Sequence, residues 1–168
     1  IEWAPRGSGS GAPINIHPAT SDILSKTHRE PGESKDFLDN GNYIENTANH
    51  YVQVIDQNGV PSPALIVMKS TQLKKSRKWN SMMMSVKLEG ANGLYTPPMF
   101  SQQYRLTVVS ESNDRGKWHG WEIERIGSVE DAGIYQTAKL FSESIQAGQV
   151  NVKHESDEKP AGDTHSHF

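Results

Sequence analysis

From Asn49 the chain alternates. Tyr51, Gln53 and Ile55 fall on one side, and His50, Val52 and Val54 on the other. That two-residue period predicts a strand. Asp56-Gln57-Asn58-Gly59 turns the chain, and the apolar run Ala64–Lys69 returns as the second strand of a hairpin. The period then lengthens. Trp79, Met82, Met83 and Val86 recur at i, i+3, i+4 and i+7, which predicts a helix with Ser76 as its N-cap, running to about Lys87. Gly90, Asn92 and Gly93 end it, and Pro97-Pro98 fixes an extended connection. Alternation resumes from Gln103 to Glu111, with Tyr104, Leu106 and Val108 on one face and Arg105, Thr107 and Val109 on the other. After a turn at Ser112–Gly116, Trp118–Ile126 pairs back. Ser128 and Asp131 open a second helix, with Ile134, Ala138, Phe141 and Ile145 as its apolar stripe and Gly148 as its C-cap.

Two hairpins, a helix between them and a helix after them predict a β-rich α+β fold. A curved antiparallel sheet or a small barrel of the oligonucleotide-binding type, with two packing helices, satisfies the pattern. A flatter α+β sandwich is the alternative. Residues 1–154 read as one domain, in which 7–39 is a long surface loop with a short helix near Ser21–Thr27. Ile1-Glu2-Trp3 reads as the end of a strand, and the start at Ile1 leads us to expect a missing N-terminal portion. Residues 155–168 hold no core-forming side chain before Phe168, and that tail is expected to be disordered.

Composition narrows the function classes. The 168 residues carry a formal charge of −3 and no cysteine, so no disulfide framework or thiolate metal site is expected. No apolar run approaches spanning length, so no membrane association is expected, and the cysteine-free chain fits a cytoplasmic setting. The seven histidines are scattered without metal-ligand spacing, and no GxSxG elbow occurs. We therefore expect no catalytic residue, no metal and no cofactor. A metal-dependent enzyme is the remote reading.

The charges are unevenly placed. Lys74, Lys75, Arg77 and Lys78 cluster at the start of the first predicted helix. The helix dipole disfavours cations there, whereas a helix start suits a bound anion. Cations also adjoin aromatic rings: Arg105 follows Tyr104, and Arg115 and Lys117 lead to Trp118. Cationic grooves with aromatic platforms hold single-stranded nucleic acid. Trp79 and Trp121 belong to apolar patterns and are expected to be buried. Trp118, among charged residues, is the expected stacking platform. A cross-strand pair between Arg105 and Glu122 or Glu124 is the structural explanation for the same face. Glu155, Asp157, Glu158 and Asp163 then lead to a terminal Phe168, a tail suited to compete for a basic groove or to engage a partner protein.

The blocks from Ser70 to Asn80 and from Glu111 to Trp121, with the helix and tail after Ser128, resemble tailed-bacteriophage proteins found among replication and recombination genes. The acidic tail ending in Phe168 is also similar to that of phage single-stranded-DNA-binding proteins. The resemblance implies a non-enzymatic single-stranded-DNA-binding protein in the bacterial host cytoplasm. Its partners would be single-stranded nucleic acid, replication or recombination proteins met through Phe168, and further copies of itself. A virion or assembly protein acting through protein contacts is the alternative.

Overall fold

The computed structural model describes residues 1–150, apart from Arg6, Gly9, Ser10, Ser34 and Arg115. They gather into two compact units, Ile1–Asn46 and a second beginning at Thr47. The fold is β-rich α+β: the described residues hold nine strands, all paired antiparallel, and two α-helices. The sheets have two or three strands and each is open, so no barrel closes among the described residues.

In the first unit, β1 (Glu2–Trp3), β2 (Asp36–Phe37) and β3 (Tyr43–Ile44) form a sheet in the order β1-β3-β2. Most of the expected long loop is tied to it. Glu2 and Asn15 join through main-chain hydrogen bonds, as do His28 and Phe37. The expected short helix is a 3-10 turn over Asp22–Lys26, capped by Ser21. Glu2 is buried, and its carboxylate accepts from Asn42 Nδ2 at 2.6 Å and meets His17 Nε2 at 2.8 Å. These partners, Asn42 foremost, hold its pKa below the ordinary carboxylate value.

The second unit carries both long hairpins. β4 (Thr47–Ile55) and β5 (Pro61–Lys69) pair in unbroken register, and Met68 on β5 is fully buried. Helix α1 (Gln72–Ser85) follows. It begins four residues before the expected N-cap, so Ser76 lies inside the helix, buried, with its hydroxyl on His50 Nε2 at 2.8 Å. The apolar stripe marks only the packed part of α1, and the basic first turns extend it backwards. The segment read as a helix end forms a small hairpin of β6 (Leu88–Gly90) and β7 (Gly93–Tyr95). Strands of three residues leave no readable period.

β8 (Gln102–Asn113) and β9 (Gly116–Ser128) form the longest hairpin, with an irregularity between Gln103 and Tyr104. Helix α2 (Ala132–Gln146) is capped by Asp131, whose carboxylate accepts from Ile134 N–H at 2.8 Å. It ends through Gly148, whose φ of 68° allows the closing bonds from Gly148 to Ile145 and from Gln149 to Ser144. α1 packs on β9 and β5. Trp79, 4 % exposed, is its anchor. Its ring stacks on His50 at 4.6 Å and meets Tyr104 edge-on at 5.7 Å. Burial lowers the pKa of His50.

Candidate functional site

The junction from β5 into α1 sets the site. Ser70 takes a left-handed conformation, φ 51°, which turns the chain out of the strand. Such a conformation costs a residue with a Cβ roughly 1–2 kcal/mol. Thr71 follows as a helix start whose side chain makes no capping bond, and the first turn holds no acidic residue. The helix therefore opens with N–H groups uncapped by a side chain, a positive dipole end and, within two turns, four cations. Lys74, Arg77 and Lys78 are exposed and Lys75 is half-buried.

Gln72 docks this helix start on the edge of β9. Its Oε1 accepts from Trp121 N–H at 3.3 Å, and its Nε2 donates to the His119 carbonyl at 3.4 Å. Gly120 lies between. A Cβ there would come within 2.5 Å of Glu111 Oε2 and 3.0 Å of Gln72 Nε2, so a side chain at 120 would push those two groups aside. The hairpin register sets Glu111 opposite Trp118. The Glu111 carboxylate accepts from Trp118 Nε1 at 2.9 Å and from Lys75 Nζ at 2.5 Å. Both bonds, Lys75 first, keep its pKa below the ordinary value.

Between α1 and β9 runs a groove of about 870 Å³. Lys74, Lys75, Arg77 and Lys78 line it from the helix. Trp118 and Trp121 line it from the strand, and Trp79, Glu111 and Glu122 also contribute to the lining. The buried Nε1 of Trp79 has no hydrogen-bond partner among the described residues. Chemically, the groove offers several charge-assisted donors and flat apolar rings within one concavity, the combination that suits an anionic ligand with aromatic bases.

Five of the residues singled out from sequence thus come together: the four cations of α1 and Trp118. Arg105 and Lys117 are not in the lining. Arg105 pairs across the hairpin with Glu124 at 3.4 Å, both exposed. Arg115 and Phe168 lie outside the described residues. Trp121 departs from expectation, since it is half-buried and shares the groove with Trp118. It sits on β9 beside the Gln72 bridge, where no further strand among the described residues pairs with β9. Sequence reasoning passed over Glu111 and Gln72. Glu111 was within reach, because a turn at 113–116 places it opposite Trp118. Gln72 was not, because its role depends on where α1 lies.

The Ser76–His50 contact is not a nucleophile–base arrangement open to substrate, for Ser76 is 3 % exposed and is not in the groove lining. Among the described residues no group of three or more His, Asp or Glu side chains could hold a metal ion. No described helix is long and apolar enough to cross a membrane. No curated protein and no solved structure matches the chain. The family model described as Pam3 phage gp34-like protein matches residues 1–151, and the chain belongs to that bacteriophage protein family.

Proposed function

We propose that this phage protein binds single-stranded nucleic acid, as a non-enzymatic component of DNA replication or recombination in the host cytoplasm. One observation carries the reading: the basic, uncapped start of α1 and the rings of Trp118 and Trp121 line the same groove. Lys74, Lys75, Arg77 and Lys78 hold phosphates, and the tryptophans offer stacking faces. Arg105 and Lys117 extend the positive field outside the lining, and Arg115 is assigned the same role from sequence alone. The Glu111 carboxylate occupies Lys75 and Trp118 in the free protein, so a phosphate competes with it there. Phe168 serves partner recruitment.

The test is a binding titration with a fluorescent single strand across a salt series, with duplex of the same length as the control. Salt-dependent binding that favours the single strand supports the reading. Absence of binding at low salt removes it and favours the alternative, a virion or assembly protein acting through protein contacts. The specific observation on that side is the long strand β8, which pairs on one edge only among the described residues.

A further inference from the structure

The β8–β9 hairpin has two outer edges, and the chain treats them differently. Gln72 closes part of the β9 edge by bonding Trp121 N–H and the His119 carbonyl. Those two bonds also fix which way the backbone points. At His119 and Trp121 the main-chain groups point away from β8, so Ser110–His119 and Val108–Trp121 are cross-strand pairs that do not exchange hydrogen bonds. On β8, therefore, the N–H and C=O groups of Leu106, Val108 and Ser110 point away from β9. None of them takes part in another hydrogen bond among the described residues. Val108, at the middle of this row, is 58 % exposed.

We propose that β8 is the edge through which two copies of this chain join, antiparallel and centred on Val108. The pattern of free backbone groups fits this register. Val108 exchanges hydrogen bonds with Val108 of the second copy, and Leu106 with its Ser110, twice by symmetry. The charges select the same centre. Arg105 lies opposite Glu111 of the second copy, and Glu111 opposite its Arg105, in the closer, non-hydrogen-bonded pairs. Moving the centre to Thr107 would set Arg105 opposite Val109. Moving it to Val109 would set Arg105 opposite Asn113. Exposed edges are commonly guarded by proline, lysine or a bulge. From Leu106 to Ser112 this edge has no proline, lysine or register shift, and its flanking charges attract in the proposed pairing. The joined sheet carries the Trp118 of both copies on one face, since Trp118 shares its face with Glu111. The proposal rests on the strand edge and its free backbone groups, and it shares Glu111 with the groove, where the same carboxylate accepts from Lys75 and Trp118.

Sedimentation of the full chain over a dilution series tests it. The expected result is a monomer–dimer equilibrium. Val108→Pro removes an N–H that the hairpin does not use, so the variant should raise the dimer dissociation constant by about tenfold or more while keeping its fold. Arg105→Glu and Glu111→Arg should each be monomeric alone, because each places like charges opposite one another twice. Mixed in equal amounts they should form a heterodimer, because both pairs then become opposite in sign. That mixing arm decides the matter even if Val108→Pro fails to fold. A wild type that stays monomeric at the highest concentration overturns the proposal and leaves the edge to a strand of another protein. A dimer that survives both single charge reversals overturns it as well.

Discussion

Glu111 sits where the groove's ligand would have to bind, with Lys75 and Trp118 both donating to it. Glu111→Gln keeps an acceptor for the indole N–H and releases the lysine. Single-strand affinity should rise a few-fold at low salt, and the difference should vanish at high salt, where exposed charges are screened. Equal affinities at low salt would mean that the carboxylate does not compete. Trp118→Ala should weaken single-strand binding by about 1–3 kcal/mol, the worth of one stacked base, measured where the variant is fully folded. Trp79→Ala should act through the fold, lowering stability by about 3–5 kcal/mol in denaturant melts, because a buried ring stacked on His50 is lost. His50 brings a pH dependence. Burial lowers its folded pKa below the unfolded value of about 6.5, so the unfolded state binds more protons. Its contribution is present above about pH 6.5 and is lost as pH falls from there toward the folded pKa. His50→Phe retains a ring against Trp79, and its melting temperature should fall less between about pH 7 and pH 5 than that of the wild type.

At the scale of elements, β4, β8, β9 and both helices could be read from alternation or an apolar stripe, whereas β5 was read only as the apolar run Ala64–Lys69 and in fact begins at Pro61. The alternation set Trp118 and Trp121 on opposite faces of β9, but the register of β8 on β9 was not read, because the expected turn at Ser112–Gly116 is one residue longer than the one that pairs Asn113 with Gly116. The start of α1 was hidden. Gln72–Ser76 holds one apolar residue, and a serine suited to capping stood where the stripe began. The two- and three-residue strands β1–β3 and β6–β7 are too short to show a period of their own, and β1 pairs with a strand distant in sequence. The groove was legible as a basic helix start and as a tryptophan among charges, but their approach depends on Gln72 bridging to β9. The helix start can be tested as a unit. Replacing Lys74, Lys75, Arg77 and Lys78 by Ala removes up to four phosphate contacts. Each contributes about 0.7 to the slope of log affinity against log salt on a single strand, so the slope should fall by up to about 3. A folded quadruple variant with the wild-type slope places the nucleic acid elsewhere.

For the whole molecule, charge is the property that couples distant parts of the sequence. Seventeen basic residues are outnumbered by twenty acidic ones, yet four of the basic residues line one groove. The last fourteen residues, 155–168, carry four acidic side chains against one lysine. A negative segment on the same chain as a positive groove competes with any external anion at an effective concentration set by its tether rather than by the bulk. The competition is electrostatic, so it acts at low salt and fades once exposed charges are screened over about 10 Å, near 0.1 M ionic strength. A chain ending at His154 should therefore bind single strands more tightly than the full chain at low salt, and equally at high salt. Phe168→Ala leaves the charges in place. It should bind like the full chain and lose only the capture of replication or recombination proteins, the partners proposed for the terminal aromatic ring. The three proteins, titrated with one fluorescent strand across one salt series, separate the two roles. If the truncated and full chains bind equally at low salt, the acidic segment does not reach the groove, and Glu111 is left as the carboxylate proposed to compete there with a single strand.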